Sequence, residues 1–493
     1  MSELPKGWVK VKIEDIAEVK GGKRLPKGHE LLNERTNYPY IRVTDFTHGT
    51  VGLTKIKYID EYTHSYIKNY TISQDDLYIS IAGTIGLVGQ IPSELNNANL
   101  TENAAKISGL VGVDKRYLSY VLSSEIGVSQ FNDKITSSGQ PKLALFRIRE
   151  CEFPLTPLNE QIRIANKLDS ILAKVDKAQA RLDKIPAILK RFRQSVLAAA
   201  TSGELTKEWR EDNTDQQRID LANLAALKEG LIAQKLVKKD LIVEILNCEE
   251  LPDSWVKVNL GGLASKVTDG EHKTPKRTDS GRYLLSARNV RDGHLSLGKV
   301  DYVGDDEFEK LRKRCDPNKG DVLISCSGSV GRIALCDKDD EYVMVRSAAL
   351  VKTDLTNQNN TYLMYVLQSP QLQDIIVEKS KSTAQSNLFL APIKELPIPL
   401  APVAEQLEIV RQVERLLEKA DRVEKQYLDA KARLDRLTQS ILAKAFRGEL
   451  VPQDPSDESA EKLLERILAE REQAKPKKAT RKRTTKAKTV EKG

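Results

Sequence analysis

The 493-residue chain contains no uninterrupted apolar run near the ~20 residues that a helix needs to cross a bilayer. Its first residues, Met1-Ser2-Glu3-Leu4-Pro5-Lys6-Gly7-Trp8, lack the hydrophobic region of a signal peptide, so a cytoplasmic location is expected. Cysteine is scarce. Cys151, Cys248, Cys315, Cys326 and Cys336 form no Cys-x-x-Cys pair and no cluster with histidine, which argues against structural zinc and for reduced, buried thiols.

Signatures of catalysis are missing as well. Gly293-His294-Leu295-Ser296-Leu297-Gly298-Lys299-Val300 imitates a phosphate loop, but Val300 stands where Ser or Thr would hold magnesium. The Gly83-Thr84-Ile85-Gly86-Leu87-Val88-Gly89 stretch lacks dinucleotide spacing. Amino-methyltransferase, His-Glu-x-x-His and Gly-x-Ser-x-Gly motifs are absent, and Glu307-Phe308-Glu309-Lys310 reads as a helix-surface pair rather than a nuclease ending. The five histidines share no partner spacing, and the chain is expected to catalyse nothing and to bind no cofactor or metal itself.

Charge is not distributed as its total suggests. The formal net charge is +8, yet residues 475–493 alone hold nine Lys/Arg and one Glu. Residues 1–474 are therefore neutral, and the basic tail reads as a disordered appendage whose charge would add salt-sensitive affinity for a polyanion whatever its sequence.

What is present is a repeat, offset by about 245 residues. Leu4-Pro5-Lys6-Gly7-Trp8-Val9-Lys10-Val11 returns as Leu251-Pro252-Asp253-Ser254-Trp255-Val256-Lys257-Val258. Asp76-Leu77-Tyr78-Ile79-Ser80 returns as Asp321-Val322-Leu323-Ile324-Ser325, and Glu160-Gln161 as Glu405-Gln406. An ungapped match continues to Gly203-Glu204-Leu205 against Gly448-Glu449-Leu450, whereas the stretch between the Trp and the Asp-x-x-x-Ser strand diverges.

Each copy begins with a globular part of mixed strands, turns and few helices, residues 1–155 and 251–400. A long helix follows. Leu168, Leu172, Val175, Gln179, Leu182, Leu189, Phe192 and Val196 step by threes and fours, and so do Val413, Leu417, Ala420, Glu424, Tyr427, Leu434, Leu437 and Ile441. Such spacing predicts a coiled-coil seam, and two such helices in one chain predict an antiparallel pair over 156–205 and 401–450. Pro186, opposite Lys431 in the repeat, should kink or unwind the first rod. The leucine-rich segment 206–250 and its shortened counterpart, a C-terminal helix within 451–474, carry apolar faces beyond what the rods need. They read as surfaces for other subunits, with buttressing of the rods as the alternative.

Each globular part is nearly neutral, at +1, so a phosphate-binding face there must come from a few placed cations. In the first part the candidates are Lys20, Lys23, Arg24, Lys27, Arg35 and Arg42, with Gln140 and Lys142 nearer its end. In the second they are His272, Lys273, Thr274, Lys276, Arg277, Arg288, Asn289 and Arg291, with Gln385. Both sets begin ~15 residues after the repeated Trp, in Gly- and Pro-containing loops, and these residue types can reach base edges and phosphates. Ser80 and Thr84, matched by Ser325 and Ser329, read as backbone-satisfying turn residues.

The divergent middles, the paired long helices and the Pro-Leu/Val-x-Glu-Gln and Gly-Glu-Leu landmarks together resemble the specificity subunit of type I restriction-modification systems. Asp269-Gly270-Glu271-His272-Lys273-Thr274-Pro275 is similar to a loop of that family's target-recognition domains. The resemblance implies an α+β chain in which two mixed α/β target-recognition domains are joined by two long antiparallel coiled-coil helices with pseudo-twofold symmetry. It implies that each domain reads one half of a bipartite asymmetric site in double-stranded DNA while the helices set the spacer. Two methylation subunits carrying S-adenosylmethionine would dock on the helical regions, for which Glu160, Gln161, Glu405, Gln406, Leu221, Leu231 and Leu241 are candidates. Restriction subunits using ATP and Mg would join them. A non-enzymatic coiled-coil scaffold binding proteins through its globular ends, or a free-standing DNA-binding regulator, is the competing reading.

Overall fold

The computed structural model describes residues 4–474 apart from 48, 136–140, 216–218, 248, 354–358 and 381–385. Five helices frame the architecture: α1 (Leu158–Leu182), α2 (Ile185–Ser202), α3 (Leu221–Ala233), α4 (Val403–Phe446) and α5 (Ala460–Ala474). By contacts the chain forms two units, one of residues 1–182 with 429–493, the other of residues 183–428. The cut passes through both rods. Between α1 and α2 it falls at the interruption around Asp183-Lys184, just ahead of Pro186, which occupies the first turn of α2 where a missing N–H costs nothing. The counterpart helix α4 runs unbroken for 44 residues through Lys431.

In the first unit, Val9–Lys12 pairs antiparallel with Glu152–Leu155. A four-stranded antiparallel sheet follows in the order Glu18–Gly21, Ala104–Ser108, Leu77–Ser80, Val88–Gln90. A second, mixed sheet contains Lys57–Ile59, Tyr38–Ile41, Ala98–Leu100 and Thr71–Ile72, with the middle two parallel. The run Leu77–Ser80 is buried on both faces, as its unbroken apolar sequence requires. The core joins Trp8, Val11, Ile13, Val19, Leu77 and Ile79 to Ile164, Ala165 and Leu168 of α1 and to Ile441, Leu442, Ala445 and Phe446 of α4. The start of α1 thus meets the end of α4, an antiparallel arrangement.

The second unit repeats this design. Val256–Asn259 pairs with Pro397–Leu400, and Ile245–Leu246 adds a third strand. The antiparallel sheet is Lys266–Asp269, Ala348–Lys352, Val322–Ser325, Ile333–Leu335. The mixed sheet is Arg277–Thr278, Asp301–Val303, Arg282–Leu285, Tyr342–Met344, the last two parallel. Val196, Leu197 and Ala200 from the end of α2 share a core with Ile409 and Val413 from the start of α4, again antiparallel. Arg193 adds ion pairs to Asp421 and Glu424, both at 2.7 Å. Along the predicted seam Leu168, Leu189, Val196, Val413, Ala420 and Ile441 are buried, Leu172, Val175, Gln179, Leu182, Tyr427 and Leu434 are half-buried, and Phe192 and Leu437 are exposed.

Each rod ends at a glycine in the left-handed region, Gly203 at φ +80° and Gly448 at +76°. Each glycine is pressed against the proline of a Leu-Pro-x-x-Trp motif, and it is the other copy's. A Cβ on Gly203 would overlap Pro252, and one on Gly448 would lie 2.7 Å from Cγ of Pro5. Among the described residues no helix is long and apolar enough to cross a membrane.

Candidate DNA interface

The residues that recur between copies turn inward. Trp8 Nε1 donates to Glu160 at 3.1 Å, and Trp255 Nε1 to Glu405 at 2.8 Å. Gln161 accepts from the Asp114 N–H at 2.9 Å and donates to the Thr156 carbonyl at 2.8 Å. Gln406 does the same with the Asn359 N–H and the Ala401 carbonyl, at 3.0 and 2.8 Å. Asp114 and Asn359 in turn cap the helices Lys115–Ser123 and Asn360–Gln368. All four Glu/Gln side chains are buried. The docking role expected of Glu160, Gln161, Glu405 and Gln406 is thereby corrected: buried groups bonded within the chain offer a partner nothing.

Of the connector's candidate leucines, Leu241 is buried and Leu221 and Leu231 are half-buried. Leu221 and Leu231 on α3 pack against the second unit's core, and Leu241 lies inside it. In the first unit the apolar face of α5 does likewise. Leu463 and Ile467 are buried, the Ala460 N–H donates to the Gly7 carbonyl at 3.2 Å, and Arg471 reaches the Ala17 carbonyl at 3.2 Å. These faces rest on the chain's own cores, while Leu227, Leu236, Ile242 and Ile245 of the connector and Leu468 of α5 remain exposed.

Ser80 and Ser325 hold matching turns. Ser80 Oγ donates to the Thr84 carbonyl (2.5 Å) and accepts from the Leu87 N–H (2.8 Å); Ser325 bonds the Ser329 carbonyl (2.6 Å) and the Arg332 N–H (2.9 Å).

The non-recurring residues turn outward. In both copies the loop after the first strand of the antiparallel sheet is launched by a glycine lying against the neighbouring strand. A Cβ on Gly22 would overlap the carbonyl oxygens of Leu100 and Thr101, and one on Gly270 the backbone of Met344 and Val345. Only a residue without a side chain lets the loop leave along that path.

Of the first loop's candidates, Lys20 pairs with Glu18, Arg24 with Glu102 at 2.7 Å and Arg42 with Asp45 at 2.7 Å. Burial pushes the Glu102 carboxyl up, but hydrogen bonds from Arg24, its own backbone and Thr101 outweigh this and hold it below the usual range. Lys23 is exposed, with its ammonium 5.5 Å from the Tyr70 ring centroid. Lys27 and Arg35 are exposed, and Arg35 lines an open cleft of about 620 Å³ with Thr36, Asn37, Tyr38, Asp60 and Glu61. Lys142 is exposed beside the bridge it forms with Ala82; Gln140 falls outside the described residues.

In the second loop Glu271 folds back onto its own backbone, accepting from the N–H groups of His272 and Lys273, both at 2.9 Å. The Lys273 N–H, then that of His272, hold its carboxyl below the ordinary glutamate value. Asp269 takes His272 at 2.7 Å and Arg314 at 2.6 Å. The loop is thus fixed from within, leaving Lys273, Thr274 and Lys276 exposed. Arg277 and Arg288 share Asp301, at 3.0 and 2.7 Å, and Arg291 is half-buried. Asn289 does not reach solvent. It is buried and closes the turn from Ser286, donating to the Ser296 carbonyl at 3.0 Å, so its expected base-reading role is corrected to a structural one. Gln385 lies outside the described residues.

One feature of the first part has no counterpart among the residues expected from sequence. Helix Glu61–Ile67 places Tyr62 and Tyr66 one turn apart and exposed, with their hydroxyls 2.9 Å apart. His29, from the basic loop, stacks on Tyr62 with ring centroids 5.4 Å apart and bonds Thr63 Oγ1 at 2.7 Å. The Tyr-x-x-x-Tyr spacing is the signal that was there to find.

Among the described residues no group of three or more His, Cys, Asp or Glu is arranged to hold a metal ion. Cys151, Cys315, Cys326 and Cys336 are free and buried; burial pushes the thiol of Cys151 up to about 11 and those of Cys315 and Cys326 to about 12.

Compared with known proteins, residues 5–187 and 252–430 match the family described as type I restriction modification DNA specificity domain. The type I restriction enzyme EcoBI specificity subunit of Escherichia coli is 31% identical over 97% of this chain and 95% of its own length. The EcoKI specificity subunit of Escherichia coli strain K12 is 30% identical over 98% and 99%. A solved chain from work on complex assembly and conformational transition of the type I R-M system superposes with a TM-score of 0.59. It is 16% identical and matches over 91% of this chain and all of that one.

Proposed function

The chain belongs to the family of type I restriction-modification specificity subunits, and from that membership we propose how its parts divide the work. Residues 1–155 and 251–400 each read one half of a bipartite asymmetric site in double-stranded DNA. The helices of 156–205 and 401–450 set the unread spacer and, with the segments 206–250 and 451–474, carry two methylation subunits. Restriction subunits join this assembly in the cytoplasm. The chain itself is non-catalytic; S-adenosylmethionine belongs to the methylation subunits, and ATP and Mg to the restriction subunits. Methylation of a base inside a duplex requires that base to leave the stack, so the DNA contacts of this chain leave room for a flipped base.

One observation carries this reading. Recurring residues (Trp8/Trp255, Glu160/Glu405, Gln161/Gln406, Ser80/Ser325) are spent on the same internal bonds in both copies, while the exposed loop cations differ. A common frame carrying two different polar surfaces is what reading two different half-sites demands. Lys23, Lys27 and Arg35 are the first part's contacts, with Lys142 exposed nearer its end and Lys20, Arg24 and Arg42 held back by acidic partners. Lys273, Thr274, Lys276 and Arg291 are the second part's, with His272 held by Asp269 and Arg277 and Arg288 tied to Asp301.

Long-read methylation sequencing of the host, with and without this gene, tests the proposal. A split motif, two short specified blocks around an unspecified spacer, should vanish on deletion; loss of a continuous motif instead would sink the two-reader scheme.

A further inference from the structure

We propose that Tyr62 and Tyr66, braced by His29, form a DNA-contacting face that helps select the bases of the first half-site. The proposal rests on the reading of residues 1–155 as a half-site reader and adds to it a surface made of aromatic rings rather than cations. Tyr62 is 63% and Tyr66 58% exposed, in a unit whose Tyr78 and Tyr117 are fully buried. Rings left in water at that level on one helix face mark a contact surface.

The face is also preorganised. Tyr66 stands edge-on to Tyr62 at 5.1 Å and to His29 at 5.5 Å, so the three rings lock one another. Contact then costs little side-chain entropy. A flat ring with a terminal hydroxyl suits a groove wall, where it can cover deoxyribose or a thymine methyl and give its O–H to a base or phosphate acceptor.

Two observations favour DNA over a protein occupant. First, the face is continuous with the basic loop: His29 belongs to the segment that carries Lys23 and Lys27, and it stacks directly on Tyr62. Second, the face is not repeated. In the second unit the helix Asp305–Arg312 occupies the same place after its strand; both helices open on an acid, Glu61 and Asp305, but Asp306 and Lys310 stand where Tyr62 and Tyr66 do. A surface that docks two identical methylation subunits has to be alike in both copies. A surface that reads a half-site has to differ.

The test uses the chain assembled with its methylation subunits and duplexes bearing the motif identified by methylation sequencing. Tyr62→Ala/Tyr66→Ala should weaken binding to the intact motif by tenfold or more, and narrow or abolish its preference over a duplex scrambled in one half. Scrambling the other half should still cost the variant what it costs the wild type. Tyr62→Phe/Tyr66→Phe, which keeps the rings, should fall between. Unchanged affinity in a correctly assembled complex overturns the proposal, and so does an equal loss on intact and scrambled DNA. Failure of the alanine variant to assemble, with the phenylalanine variant assembling and binding normally, marks the face as a protein contact and overturns it too. If the wild-type complex itself shows no preference for a split motif, the half-site reading fails and this inference falls with it.

Discussion

Glu160 and Glu405 are the same residue in the repeat and do not stand in the same surroundings. Glu405 receives Trp255, Thr206 at 2.7 Å and the guanidinium of Arg210, so its buried charge is compensated from three sides. The second copy has Val451 and Pro455 where Thr206 and Arg210 would recur. Glu160 accordingly keeps Trp8 on one oxygen, and among the described residues its Oε1 has no partner. Burial, only partly opposed by the Trp8 hydrogen bond, raises its carboxyl above the ordinary value. A raised carboxyl binds its proton more tightly in the folded chain, so the stability it contributes is complete at low pH and is lost as pH rises through the folded value. Glu160→Gln should therefore match the wild type in thermal melts near pH 4 and gain on it toward pH 8. Glu405→Gln turns an amide toward Arg210 and should cost at least about 2 kcal/mol at neutral pH, roughly 4–8 °C for a unit of this size. Equal responses of the two variants would remove the asymmetry argument. The Glu-Gln pair was legible in the sequence as a landmark but not as a clasp, because its Trp partner lies 152 residues away in one copy and 150 in the other.

Lys273 and Lys276 are exposed in a loop pinned by Glu271 and Asp269. If both touch phosphate, Lys273→Ala/Lys276→Ala should lower the slope of log affinity against log salt by about 2, near one per lost contact. An unchanged slope in the assembled complex would place them off the DNA. The sequence could rank lysines and arginines by loop, but which of them an acid neutralises depends on strand register. Asp301 meets Arg277 and Arg288 only because Asp301–Val303 lies next to both flanking strands.

Among elements, the rods were the most legible. Threes-and-fours spacing predicted two long helices, and both exist, with the first broken ahead of Pro186. The connector and α5 were only half-legible, because an apolar stripe shows that something covers it without showing what. Here the cover is the chain's own core: Leu231 and Leu241 in one unit, Leu463 and Ile467 in the other. Loop launch by Gly22 and Gly270 was only half-visible, since the glycines stand out but their opposing backbone does not. Gly270→Ala must displace either the loop or the Met344–Val345 backbone, at about 3 kcal/mol, the upper end of overpacking costs. It should weaken DNA binding more than Lys273→Ala alone, read as affinity at fixed salt; Gly298→Ala, whose Cβ would meet nothing, is a control for glycine replacement as such.

Each rod ends against the opening motif of the other copy. The first rod's terminal Gly203 seats the second copy's Pro252, and the second rod's Gly448 seats the first copy's Pro5. The first unit is thus completed by residues 429–474 from the far side of the sequence, while the second is a continuous run from 183 to 428 that opens with the end of the first copy. A recognition part can then be exchanged only if the bonds that seat it are kept. Trp8, Glu160 and Gln161 lie outside residues 20–150, and the Asp114 N–H that Gln161 accepts from, though inside, is a backbone group any replacement supplies; the diverging loops and the Tyr62–Tyr66 helix lie within them. Replacing residues 20–150 by those of another family member should therefore leave the frame standing and change one half of the methylated motif. The other half and the spacer should stay as they were, because α1, α2 and α4 are untouched. Methylation sequencing of a strain carrying the exchange reads all three at once, and a change in both halves would mean that the two parts do not read independently.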